Sequence, residues 1–232
     1  MGNLFGECVH EYIAAEIMEV TSERIMINIF WDIKTINLAA IITRIGHITR
    51  SMFAETVELL GSDHNHLDII EKGFEVQRQA LLARRAIKYA LNNSAVAHKF
   101  NFSSLELLYI SYIIYFFGMI GQYVLKLAKI VGESKLNQFA DLLNEVSAKA
   151  ELKLLLQRTA DYYGKVVDEY QKPNKVSKFI FSEYTDFEAS IDDFRKKNPK
   201  LWAPVLGEYL KLLIFKIKET EFIMISMENA PK

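Results

Sequence analysis

Residues 103–131 read SSLELLYISYIIYFFGMIGQYVLKLAKIV. No charged residue stands between Leu107 and Leu125, and a helix of that length can cross a bilayer. A helix buried on nearly all sides of a bundle has the same composition. The buried helix is the reading we favour. Ser111 and Gln122 interrupt the run, four tyrosines in it carry hydroxyls, and Glu106 and Lys126 bracket it tightly. No second run of this kind exists in the chain. Ser103 and Glu106 stand at capping-box spacing, so the helix should start there and continue to about Val131. That choice makes the molecule an all-α bundle packed around its most apolar helix.

Working toward the N-terminus, Leu67 to Asn93 has helical periodicity, with Ile70, Phe74, Leu81, Ile87 and Leu91 expected inward. Before it, Leu38 to Leu60 places Ile41, Ile42, Ile45, Ile48, Met52, Phe53 and Leu60 on one face, with Asn37 as N-cap. Residues 15–30, AEIMEVTSERIMINIF, are the strand-like part. Their β-branched residues, and Thr21-Ser22-Glu23 at the turn, predict a short N-terminal β-hairpin. Toward the C-terminus, helices are expected over about 136–170, 176–197 and 198–227. Pro173 should break the chain between the first two, and Asn198-Pro199 should cap the last. We therefore expect six long helices as two antiparallel three-helix bundles, split near Gly132-Glu133-Ser134. The units are 1–36 with the hairpin, 37–132 and 133–232.

Composition narrows the function classes. The chain has 232 residues, half of them apolar and a quarter charged, with a formal charge of -1 and a pI near 6.5. This is an ordinary globular balance, without the basic excess expected of a nucleic-acid binder. Cys8 is the single cysteine, so neither an internal disulfide nor a thiolate metal site is expected. Met1 to Glu11 lack a basic region followed by an apolar core. We expect cytoplasmic residence, peripheral to the membrane at most.

Three stretches resemble the PhoU family of phosphate-uptake regulators, in the archaeal branch that carries an extra segment before the helices. RIGHITRSMFAETVELL, Arg44 to Leu60, resembles the first helix of the family, including the acid at Glu55. EVQRQALLARRAI, Glu75 to Ile87, resembles the family pattern EVDRLYFLLVRQL through Glu75, Val76, Arg78, Leu82 and Arg85. YFFGMIGQYVLKLAK, Tyr115 to Lys129, is similar to YLERIGDHAVNIAE at Ile120-Gly121 and Ala128. The segment around Ile17 to Glu19 resembles the one joining an AbrB-like domain to PhoU, but no AbrB-like part precedes it here. The resemblance covers roughly residues 15–131.

In that family, acid-x-x-x-acid pairs hold metal clusters. Residues four apart share a helical face and can reach one ion together. Here the second-helix pair falls on Gly73 and Gln77 and the third-helix pair on Gly118 and Gln122, so the carboxylates are gone. No metal is expected in the first unit. In the second unit Glu188 and Asp192 keep the spacing, and on the last helix Phe215 and Glu219 fall on the pair. A divalent, iron or zinc ion held by Glu188, Asp192 and Glu219 is the metal-binding alternative. The plainer account has Glu188, Asp192 and Asp193 solvating a surface face.

Other groupings carry less. Asp63, His64, His66 and Asp68 sit around an interhelical loop, and two histidines two apart do not share a helical face. Arg78, Arg84 and Arg85 form a basic stretch suited to an anion or an acidic partner. No Gly-rich phosphate loop, nucleophile elbow or HExxH motif occurs. The resemblance implies a non-enzymatic, homo-oligomeric adaptor that links phosphate status to uptake by contact with phosphate-uptake or signalling proteins. A metal-cluster protein and a membrane-associated helical protein are the alternatives, and neither nucleic acid nor an integral membrane span is expected.

Overall fold

The computed structural model describes residues 15–21, 24–29, 36–61, 66–133, 146–172, 186–199 and 202–229. Seven helices lie among them: α1 Leu38–Leu59, α2 Leu67–Leu91, α3 Ser94–Phe100, α4 Ser104–Glu133, α5 Val146–Tyr170, α6 Phe187–Lys197 and α7 Trp202–Glu228. The core of the molecule is a helical bundle. Strands β1 Ala15–Val20 and β2 Ile25–Ile29 run antiparallel, with an irregularity between Ile17 and Glu19. None of the substantial packing between elements joins these strands to a helix, so the fold class rests on the helices alone.

Local chemistry sets the helix starts. The Asn37 side chain accepts the Ala40 N–H at 3.0 Å, which caps α1. Ahead of α4, the Glu106 N–H donates to Ser103 Oγ at 3.2 Å and the Ser103 N–H donates to Glu106 Oε2 at 2.7 Å. This is the reciprocal box expected from the sequence. Between α2 and α4 the chain forms the short helix α3, which ends at Asn101 in the left-handed region, φ 54°. The sequence pattern places only a connection there.

The start of the last helix differs from expectation. Asn198 terminates α6, giving both its backbone N–H and its Nδ2 to the Phe194 carbonyl, and α7 begins at Trp202. A residue before proline is pushed out of the helical region, and Asn198 sits at φ −121°, ψ 73°. Asn198-Pro199 is thus a stop, and Pro204 occupies the first turn of α7. Residues 136–145 and 176–185, where helix was also expected, lie outside the described residues.

Helices α1, α2 and α4 pack on one another, and so do α5, α6 and α7. The two sets meet where α4 lies along α7 and α1 lies along α5. One hydrophobic core runs through both sets, from Leu38 on α1 to Met224 on α7. Helix α4 is its axis: Leu107, Ile110, Ile113, Ile114, Phe117, Ile120 and Val124 are all fully buried. Its other side is open, with Leu108 43 %, Tyr112 47 % and Tyr115 40 % exposed. By length and composition α4 is the one helix among the described residues that could cross a membrane, and 44 % of its most apolar window is buried.

Candidate functional site

Helix α2 meets α4 along small residues. Its buried face is Ile69, Gly73, Val76, Ala80, Ala83, Ala86, Ile87 and Ala90. Phe74, Leu81 and Leu91, expected inward, are half exposed, and Ile70 is only partly buried. Small side chains allow two helix axes to approach, and the larger apolar residues are left one position off the seam.

Gly73 and Gly118, which stand where the family resemblance implies carboxylates, fall on this seam. A Cβ added at Gly73 would lie 2.8 Å from Leu125 Cδ2, and one added at Gly118 would lie 3.2 Å from the Ala80 Cβ. At Gly121 it would lie 2.7 Å from Val76 Cγ1. Leu125 therefore fills the space that a carboxylate at 73 would need, whereas at 118 an added Cβ meets only the Ala80 Cβ. Gln77 is exposed, and Gln122 is partly buried with its Nε2 unpartnered.

The acid of the first motif is engaged by protein groups. Glu55 accepts from Ser51 Oγ at 2.6 Å and pairs with Lys72. Glu75 pairs with Arg44 at 2.9 Å and with Arg78. Burial pushes the Glu75 carboxyl up, but hydrogen bonds from Gln79 and Arg78 and the charges of Arg78 and Arg44 outweigh it and leave the group below its ordinary range. Arg84 lies over the Tyr115 ring at 5.3 Å, and Arg85 is exposed. The three arginines thus do not converge on one point: Arg78 faces an acid, and Arg84 faces an aromatic ring.

In the second set, Glu188 is exposed and Asp192 and Glu219 are partly buried. Asp192 accepts from Lys211 Nζ at 2.6 Å, with Arg195 at 3.7 Å, and Arg195 reaches on to Glu208 at 2.7 Å. Register decides this. Asp192 faces position 211 of α7, whereas Glu219 lies eight residues further along, about 12 Å of helix. No group of three His, Cys, Asp or Glu side chains suited to a metal occurs among the described residues. Residues 62–65, which include Asp63 and His64, lie outside them; His66 is half-buried, close to Gly132, and Asp68 is exposed in the first turn of α2.

The polar groups of the core are few. Tyr162 donates to Glu221 Oε2 at 2.7 Å between α5 and α7. The hydroxyls of Thr49 and Tyr163 are buried against each other, and burial holds the Tyr163 hydroxyl well above its ordinary value, opposed by Thr49 and by the charge of Arg50. On α1, Arg50 donates to the Gly164 carbonyl and to Asp168 of α5, each at 2.7 Å, which ties the two sets together.

One surface feature went unread in the sequence. On the face formed by α2, α4 and α7, Arg84, Lys126 and Lys216 each rest on aromatic rings. Lys126 lies 5.7 Å from the Tyr123 ring and 5.9 Å from Tyr209, and Lys216 lies 4.9 Å from both Phe116 and Phe215. The available signal was that Leu108, Tyr112 and Tyr115 recur at helical spacing opposite the buried stripe, with no charge before Lys126. Comparison with protein-family models, curated proteins and solved structures gives no match for the chain.

Proposed function

We propose that the chain is a non-enzymatic adaptor of the PhoU kind, linking phosphate status to phosphate uptake through protein–protein contacts. The observation that carries this reading is positional. The three stretches that resemble the family lie on α1, α2 and α4, in family order, and these helices pack on one another. In this reading α1, α2 and α4 form one antiparallel three-helix unit and α5, α6 and α7 a second, and the chain acts in the cytoplasm as a homo-oligomer.

An adaptor without a metal cluster is favoured over the metal-binding alternative. At Gly73 the seam is filled by Leu125, and Asp192 already holds Lys211. A cation at Asp192 would have to displace that lysine and also gain ligands from elsewhere.

The test is physiological. Phosphate uptake is measured in cells lacking the chain and in complemented cells, under phosphate-rich and phosphate-poor conditions. Uptake that no longer falls in rich medium, and is restored by complementation, is the expected result. Identical uptake in both strains under both conditions overturns the reading.

A further inference from the structure

We infer that the face built by α2, α4 and α7 docks on an anionic lipid surface, with α4 lying along it. The inference goes beyond the adaptor reading and stands whether or not the chain responds to phosphate.

The apolar part comes from α4. Leu108, Tyr112 and Tyr115 stand two-fifths to half exposed on its outward side, flanked by Leu81 of α2 and Leu212 of α7. From Leu107 to Leu125 this helix carries no charge on any side. The inward side is accounted for by the core; the outward side is apolar without a packing partner among the described residues. Contiguous apolar surface of this kind marks an interaction site.

Charge identifies the occupant. Arg44, Arg50, Lys72, Arg78, Arg158, Arg195 and Lys211 all meet carboxylates. The cations of this face meet rings instead: Arg84 over Tyr115, Lys126 over Tyr123 and Tyr209, and Lys216 over Phe116 and Phe215. Glu219, one turn beyond Lys216, makes no ion pair with it. Three cations without carboxylate partners among the described residues would repel a second copy presenting the same face, so a symmetric dimer is disfavoured here. The same cations attract a negatively charged partner. Aromatic rings with lysine and arginine stems laid over them, around an uncharged aliphatic stripe, suit the headgroup boundary of a bilayer. There the rings and leucines sink to the acyl boundary and the cations remain among the phosphates.

The experiment is vesicle flotation with the full chain, using phosphatidylcholine vesicles and vesicles of phosphatidylcholine with phosphatidylglycerol. The chain should float with the anionic vesicles, and added salt should weaken binding. Each of Arg84→Gln, Lys126→Gln and Lys216→Gln should lower partitioning about five-fold, and the triple variant on the order of a hundred-fold. Leu108→Ser with Tyr112→Ser should abolish flotation. Circular dichroism melts check that the variants fold. Lys153→Gln, on α5 and away from the face, should bind as the parent does. Equal flotation with neutral vesicles, or flotation retained by the triple variant, overturns the assignment. So does a chain that ignores vesicles and binds polyglutamate through these residues, which would assign the face to an acidic protein. A chain that ignores vesicles and dimerises through Leu108 and Tyr112 overturns it in favour of a second copy.

Discussion

Where α2 meets α4, glycine and alanine let two helices close on each other; where α6 meets α7, Asp192 and Arg195 reach across to Lys211 and Glu208. Both seams fall where the family resemblance implies acid pairs. The first carries no acids and closes by shape. The second carries one acid in contact, and its ion pairs cross beside the buried Phe187, Ile191 and Phe194 of α6. A seam closed by shape is sensitive to added volume and indifferent to salt. Partly exposed ion pairs across a seam tolerate substitution and respond to salt and pH.

The sharpest way to break this contrast is to place an acid at the first seam. Gly73→Glu would place a Cβ 2.8 Å from Leu125 Cδ2 and bring a carboxylate into a buried position. Overpacking and burial of an uncompensated charge together should cost on the order of 3–5 kcal/mol. Denaturant midpoints measure this. A variant of unchanged stability that gains a bound metal would mean the seam opens readily, and the contrast would fail.

A smaller effect is expected at Gly121. Alanine gains about 1 kcal/mol of helix propensity. Its Cβ, however, would lie 2.7 Å from Cγ1 of Val76, a β-branched side chain with little χ1 freedom. Gly121→Ala should therefore lose about 1–2 kcal/mol net. Adding Val76→Ala should make the double variant more stable than the sum of the singles, a coupling that a double-mutant cycle reads directly. Gly118→Ala, facing the Ala80 Cβ at 3.2 Å, should fall closer to neutral. Additive behaviour of Gly121→Ala and Val76→Ala would show that the two sites do not press on each other.

The same contrast explains what could be read in the sequence. The cap at Asn37 and the box at Ser103 and Glu106 are local devices, written within four residues, and both appear as expected. That α4 is a core helix was legible from its run of large apolar residues, but it was expected buried on nearly all sides, and Leu108, Tyr112 and Tyr115 leave one side open. The buried side of α2 was not legible. Phe74, Leu81 and Leu91 form an apolar stripe, and Gly73, Ala80, Ala83 and Ala90 form another beside it. Which stripe turns inward depends on the bulk that α4 brings, with Leu125 and Val124 already filling the space. Sequence position alone does not contain that choice. Asn198-Pro199 failed for a different reason: asparagine can cap either end of a helix, and only the backbone shows which end it serves. Whether Asp192 would face Glu219 depends on register, and Asp192 faces Lys211, since two helices can slide by two turns without changing their periodic patterns.

The smallest effect belongs to Asp192, and its sign follows from the pairing. The hydrogen bond from Lys211 holds this carboxyl below its ordinary value of 3.8; desolvation opposes it, and the charges of Lys211, Arg195 and Lys196 add to it. A carboxyl depressed in the folded state contributes stability that is fully present above the unfolded value. That contribution is lost as pH falls below about 3.8 and through the lower folded value. Asp192→Asn should thus be slightly less stable than the parent at neutral pH, with the two melting curves converging in acid. Arg195 keeps Glu208 in the variant, so the seam loses one tie and not both. Raised salt should narrow the difference at neutral pH, because the pair is partly exposed and screened. Thermal melts of both proteins across acid and neutral pH, at low and high salt, give the four comparisons needed. A difference that persists in acid or is unmoved by salt would mean that Asp192 supports the α6–α7 seam by its packing and not by its charge.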